Sequence, residues 1–195
     1  DIAKRLFREA DILTPDWVHC DLSRQTAETA AAHIEETVGY PCVVKPCSCG
    51  SSVGVSMAED REELMQALTL AMQYEGDIIA ERRIQGREVT VSVLGGRVLP
   101  AVEIVPHEGF YDYANKYQAG AVEELCPARI ALAEASALAD AARRGFDVLR
   151  LGGYARFDFI LDKTGTAWCL EANALPGMTP TSLLPRAAAA IGMDY

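Results

Sequence analysis

The period of hydrophobic and polar positions changes several times along the chain, and each change marks a predicted element. Ile2, Leu6 and Phe7 share one helical stripe, so a helix is expected over residues 1–10. The turn at Thr14-Pro15 precedes a short strand at 17–20. Residues 25–38 are Ala-rich with acidic residues early, and Gly39 is placed as a helix stop. A short buried strand is expected at 41–46, then a Gly/Ser loop and a second strand at 53–57. Asp60, with Glu63 three residues on, caps a helix through Leu64, Leu68 and Met72, and 77–81 is a further strand. Beyond Gln85-Gly86 the pattern becomes clean alternation: Val89, Val91 and Val93 on one face, Glu88, Thr90 and Ser92 on the other. Gly95-Gly96 turns that strand into another at 97–105. A long polar and aromatic loop is expected over 106–120, a helix over 128–144 stopped by Gly145, and a hairpin of 154–161 with 167–173. An Ala-rich helix around 187–190 comes last. The whole predicts an α+β fold of two subdomains, 1–83 and 84–195, with the boundary near Arg83.

Composition narrows the function classes. A chain of 195 residues suits one or two domains, and 50% hydrophobic with 24% charged residues is ordinary globular composition. Lys and Arg total 18 against 28 Asp and Glu, a net charge of −10, so there is no basic excess to displace counterions and a nucleic-acid partner is excluded. The longest charge-free stretch, 172–185, is interrupted by prolines and falls short of the roughly 20 apolar residues of a membrane span. Cys42, Cys47 and Cys49 form the one tight group of the six cysteines. Without a Cys-x-x-Cys or a neighbouring His, they read as small buried or half-buried thiols of a reducing compartment rather than a zinc site. His19, His33 and His107 are scattered and read as surface or packing residues. With neither Met nor an apolar signal segment at its start, the sequence reads as a piece cut from a longer chain.

Four segments carry chemistry. In the hairpin 154–173, strand periodicity puts Arg156 and Asp158 on one face and Glu171 and Asn173 on one face of the returning strand. A short turn permits a register that brings these faces together above Phe157, Phe159 and Leu161. Two carboxylates and a carboxamide suit Mg²⁺ that also binds substrate phosphates; the other reading is a solvated face with ion pairs. The loop from Lys45-Pro46 through Gly50-Ser51-Ser52-Val53-Gly54 joins two strands and is not a Walker-type P-loop. It either lays backbone N–H groups over phosphates with Lys45 as point charge, or is a flexible turn. Pro185 belongs in a first helical turn, which puts helix entry near Ser182-Leu183, an anion site or an ordinary cap. Glu81 and Glu88 flank the connection between subdomains, where acidic groups suit ribose hydroxyls.

Together these residues resemble the D-alanine–D-alanine ligase family of the ATP-grasp superfamily. The matching motifs are Val44-Lys45-Pro46, Gly50-Ser51-Ser52-Val53-Gly54, Phe110-Tyr111-Asp112-Tyr113 with Lys116-Tyr117, Arg156-Phe157-Asp158, Glu171-Ala172-Asn173 and Pro176-Gly177-Met178-Thr179. The resemblance implies an ATP-grasp fold with nucleotide between the subdomains. It also implies a two-step reaction: ATP phosphorylates the carboxylate of one D-alanine, and the amine of a second attacks the acylphosphate. The roles it implies are Lys45 on phosphate, Glu81 and the Ile84 backbone on adenine, and Glu88 on ribose. Ser51 is implied to help hold the substrate region, Lys116 and Tyr117 belong to the closing loop, and Asp158, Glu171 and Asn173 to two Mg²⁺ ions, with Mn²⁺ as substitute. Arg156 and the Gly177 backbone are implied as oxyanion stabilisers, and Ser182 and Leu183 as holders of the second D-alanine's carboxylate. Partners implied are D-alanine and ATP, with a homodimer as the complete enzyme, in bacterial cytoplasm, supplying a peptidoglycan precursor.

The family's N-terminal domain is expected to be missing, its other nucleotide-binding lysine to fall just before Asp1 and the last helix to be cut, so the piece alone is expected to ligate nothing. Tyr117 favours an amine acceptor over a hydroxy acid. The rivals are another ATP-grasp carboxylate–amine ligase, a non-catalytic nucleotide-binding module and a structural domain. The intact set Arg156, Asp158, Glu171 and Asn173 speaks against a mere binding module, which has no need of an oxyanion arginine.

Overall fold

The computed structural model describes residues 1–50, 52–106 and 122–195. Ser51 and, apart from Pro106, the loop expected over 106–120 therefore lie outside the described residues. Chain contacts divide the described residues into two units, one spanning Pro15–Arg83 with Asp1, the other Ile2–Thr14 together with the residues from Ile84 onward.

The first helix, α1 (Ile2–Glu9), belongs to the second unit, not to the N-terminal subdomain expected over 1–83. Its apolar stripe decides this. Phe7 is fully buried with its ring centroid 6.5 Å from that of Phe157, and Ile12 enters the same core. Lys4, also buried, donates from Nζ to Thr14 Oγ1 at 2.6 Å and ties the helix to the segment after it.

The first unit is a four-stranded antiparallel sheet with helices packed on it. Its elements are β1 (Trp17–Asp21), α2 (Ala27–Thr37), β2 (Cys42–Pro46), β3 (Ser56–Ala58), α3 (Arg61–Met72) and β4 (Asp77–Arg82), with strand order β1-β4-β2-β3. Thr26 starts α2, its Oγ1 accepting from the Thr29 amide at 3.2 Å. Asp60 starts α3 by accepting from the Glu63 amide at 3.0 Å, while the Glu63 carboxylate accepts from the Glu59 amide at 2.8 Å. Cys20, Val44, Ile78 and Ala80 from the strands pack against Ala30, Ile34, Leu64 and Leu68 from the helices. The strand expected at 53–57 is shorter and later, so the Gly/Ser connection from β2 is longer than its residue pattern suggests.

The second unit holds a six-stranded sheet built from β5 (Gly86–Leu94), β6 (Arg97–Val98), β7 (Val102–Pro106), β8 (Val122–Leu125), β9 (Tyr154–Asp162) and β10 (Ala167–Asn173). The order is β10-β9-β5-β7-β8, with β6 also paired to β5, and every pairing is antiparallel. The single strand expected at 97–105 is two, because Pro100 lies between β6 and β7 and cannot donate to a ladder. The helices are α4 (Leu132–Val148) and α5 (Leu183–Ala189). Leu138, Ala142 and Phe146 of α4 cover one sheet face, packing with Val89, Val91, Val93, Phe157, Phe159 and Leu161. Leu184 of α5 packs with Val102 and Leu94 on the other. Consequently the polar positions Thr90 and Ser92 on the other face of the alternation are buried too.

Gly145 does not stop its helix. The α4 helix runs through it to Val148, and a Cβ there would meet the Phe157 ring at 2.7 Å. The glycine is a point of close approach between helix and sheet. Among the described residues, no helix is long and apolar enough to cross a membrane.

Two outcomes follow for stability. Gly145→Ala gains about 1 kcal/mol of helix propensity but overpacks against Phe157 by more, so chemical denaturation is expected to show a net loss of about 1–2 kcal/mol. Asp162 in the β9–β10 turn is held well below the usual carboxylate range by the Thr164 hydroxyl, the Trp168 indole and the Thr164 and Thr166 amides. Its stabilising contribution is present above the unfolded-state value of about 4 and fades as pH falls through the lower folded-state value. The melting difference between the parent and Asp162→Ala should therefore be largest above pH 5 and shrink steadily toward pH 2.

Candidate active site

Strand register assembles the polar set of the second unit. Across β9 and β10, Asp158 pairs with Glu171 and Asn173 with Arg156, with an irregularity between Cys169 and Glu171 that re-phases the returning strand. Without it Cys169 and Glu171 would share a face; with it Cys169 is buried in the core and Glu171 is exposed on the opposite side. Across β5 and β9, Thr90 pairs with Asp158 and Ser92 with Arg156. Residues directly opposite in an antiparallel pair share a face, so Thr90, Asp158 and Glu171 form one row and Ser92, Arg156 and Asn173 the next. Glu88, opposite Ile160, lies on that same face.

The four residues expected to converge are joined by hydrogen bonds. Arg156 grips Asp158 with two parallel bonds, Nε to Oδ1 at 2.7 Å and Nη2 to Oδ2 at 2.8 Å. Asn173 Nδ2 donates to Asp158 Oδ2 at 2.9 Å and to Glu171 Oε1 at 3.1 Å. Both carboxylates thus lie within reach of one nitrogen, and a cationic group already engages Asp158. That arrangement fits a hard divalent cation: oxygen donors from facing strands, with positive hydrogen-bond donors where an ion's charge would fall. Among the described residues, no group of three His, Cys, Asp or Glu is assembled to hold an ion. A cation here would therefore need Asn173, water and substrate oxygens to complete its shell.

The loop after β10 brings Gly177 against the start of α5. A Cβ at Gly177 would sit 2.8 Å from Ser182 Oγ, so a larger residue there would push the serine hydroxyl out of its place. Ser182 is the residue before α5, and its Oγ accepts from the Thr179 amide at 3.1 Å with the Thr179 hydroxyl 2.8 Å away. Leu183 is half-buried at the first helical position and Pro185 stands in the first turn.

In the first unit, Lys45 on β2 and Glu81 on β4 form an ion pair, Nζ to Oε1 at 2.6 Å, and Glu81 is only 3% exposed. Register puts Val43 directly opposite Glu81, so the lysine reaches across by the length of its stem. At the base of the Gly/Ser loop the Ser48 amide donates to the Glu75 carboxylate at 2.6 Å and the Cys47 amide to the Asp77 carbonyl at 3.0 Å. A loop amide here already holds an anionic oxygen, which is the interaction that phosphate binding needs. Ile84 and Glu88 belong to the second unit. Of the expected site residues, Ser51, Lys116 and Tyr117 lie outside the described residues.

Burial, with Glu59 nearby, raises the Cys42 thiol to about 11, and burial, helped by Glu75 and Asp77, raises Cys47 to about 11. Neither is a thiolate at neutral pH, so neither offers a nucleophile or a ready soft-metal ligand. The residue that sequence reading passed over is Thr90. Its place in the alternation with Glu88 was visible, but its burial beside Asp158 depends on β5 lying between β9 and β7.

Residues 6–195 match a family model described as D-ala D-ala ligase C-terminus. The D-alanine–D-alanine ligase of Synechococcus sp. (strain JA-3-3Ab) is 42% identical over 195 residues, covering 100% of this chain and 59% of the relative. Among solved structures, the D-alanine–D-alanine ligase of Bacillus anthracis matches at TM-score 0.86 and 32% identity, covering 100% of this chain and 62% of that one. The same ligase complexed with ATP matches at TM-score 0.80 and 27% identity, with 100% and 59% covered. VanG D-Ala:D-Ser ligase from Enterococcus faecalis matches at TM-score 0.87 and 31% identity, with 98% and 56% covered. The chain spans about three fifths of the length of the curated relatives it matches.

Thiol accessibility provides a check on the first unit. Cys49 is exposed, Cys47 half-buried and Cys20 and Cys42 buried. With Ellman's reagent at pH 8, Cys49 should react first and Cys20 and Cys42 only on unfolding, read by peptide mass mapping; early labelling of Cys42 would contradict its packing.

Proposed function

The chain belongs to the D-ala D-ala ligase C-terminus family, and on that premise we propose that it carries the ATP-dependent step and the acceptor site of an enzyme joining two D-alanines. Its α+β architecture matches that of ATP-grasp ligases. The observation that supports the reading most strongly is the hydrogen-bonded set Arg156, Asp158, Glu171 and Asn173 on one sheet face.

The proposed reaction is the two-step ligation that the family resemblance implies. A carboxylate oxygen of the first D-alanine attacks the γ-phosphorus of ATP, the bond to the β-phosphate oxygen breaks, and ADP leaves. The amine of the second D-alanine then attacks the acylphosphate carbon, giving a tetrahedral oxyanion that collapses as phosphate departs and the amine proton is lost. Lys45 neutralises nucleotide phosphate, Glu81 and the Ile84 backbone hold adenine, and Glu88 accepts from ribose. Asp158, Glu171 and Asn173 hold two Mg²⁺ ions, which supply charge neutralisation on the phosphates when bound. Arg156 and the Gly177 backbone stabilise negative charge on the reacting oxygens. Ser182 and Leu183 hold the acceptor's carboxylate, Ser51 helps hold the substrate region, and Lys116 and Tyr117 serve to exclude water from the acylphosphate. The intact enzyme works as a homodimer in bacterial cytoplasm and supplies a peptidoglycan precursor.

D-serine as the acceptor is a second reading, supported by the similarity to VanG D-Ala:D-Ser ligase. Coupled ADP release with chromatographic identification of the dipeptide separates the two. With ATP, Mg²⁺ and D-alanine the intact protein should form D-alanyl-D-alanine. Glu171→Gln should lower kcat by roughly 10²–10³-fold, with an unchanged circular-dichroism spectrum. Ligation at the parental rate by that variant would remove the metal assignment.

A further inference from the structure

We propose that Thr90 is a positioning residue for Asp158, holding that carboxylate in its cation-binding orientation; the proposal rests on the reading of Asp158 and Glu171 as cation ligands. Thr90 is 1% exposed, and among the described residues its Oγ1 has no hydrogen-bond partner. A buried hydroxyl left unmatched costs stability, and valine has the same branched shape without it. Valine fills the opposite, α4-facing side of the same strand at Val89, Val91 and Val93. A threonine here is therefore a departure from what packing alone favours.

Register gives the departure a use. Thr90 stands directly opposite Asp158, which stands directly opposite Glu171, so the hydroxyl shares their face and their row. Among the described residues, the hydrogen bonds to Asp158 come from Arg156 and Asn173. A divalent cation on Asp158 competes with the Arg156 guanidinium for the same oxygens. Once the guanidinium moves off, the carboxylate needs a new donor to fix its plane, and Thr90 is the neutral hydroxyl placed to supply one. Outer donors of this kind set ligand orientation and commonly change metal affinity 10–100-fold.

The test uses the intact protein and four forms: parent, Thr90→Val, Thr90→Ser and Asp158→Asn. Thermal midpoints are measured without divalent cation, and Mn²⁺ binding in the presence of ATP is measured by electron paramagnetic resonance of the free ion. Thr90→Val should melt no lower than the parent yet bind Mn²⁺ about tenfold more weakly, while Thr90→Ser stays close to the parent in both. A lower melting point for Thr90→Val without cation would make Thr90 an ordinary packing residue and overturn the proposal. Parental Mn²⁺ binding by Thr90→Val, with binding lost in Asp158→Asn, would overturn it while leaving the cation reading intact. Parental binding in Asp158→Asn would remove the cation reading itself, and the proposal with it.

Discussion

The pairing of Asp158 with Glu171 across β9 and β10 is held by what lies on the opposite side of the same two strands. Phe157, Phe159 and Leu161 are all but fully buried against α4, and each removes enough apolar area from water to be worth about 2 kcal/mol or more. A slip of β9 by one residue would bring those apolar side chains to the polar face and drive Arg156 and Asp158 into the core. The carboxylates do not choose their own positions; the floor beneath them does. Phe7 of α1 and the missing side chain of Gly145 belong to the same constraint, since both shape the pocket that Phe157 fills.

On the polar side, the charge of Asp158 is met by the two-pronged Arg156 and by Asn173, which also reaches Glu171. Such a network costs desolvation of both ions, which geometry and extra hydrogen bonds must offset. Here three bonds to one carboxylate do so, and the same network makes Arg156 the competitor of any cation that Asp158 receives. Lys45 and Glu81 in the first unit show the like pattern, two groups proposed for the nucleotide bonded to each other at 2.6 Å. In both units these charged groups are mutually satisfied, which keeps the fold from bearing unpaired buried charges.

Local pattern alone determined much of this protein. Strand periodicity was enough to pair Arg156 with Asp158 and Glu171 with Asn173 on a face of each strand, because side-chain direction alternates with period two, but bringing the two faces together took the irregularity between Cys169 and Glu171. The cap at Asp60 and the entry to α5 at Ser182-Leu183 were legible for a similar reason: each depends on groups within one helical turn. Tertiary structure decided the rest, where the deciding atom is remote in sequence. Gly145 looks like a helix stop until Phe157 is seen against it. Helix α1 leaves its sequence neighbours because Phe7 finds its core in the second unit. The alternation of β5 gave Thr90 a face but not its cover; β5 lies inside the sheet between β9 and β7, and that burial leaves the Thr90 hydroxyl beside Asp158 unmatched among the described residues. Periodicity reports which side of a strand a residue occupies; only the completed sheet determines what covers that side.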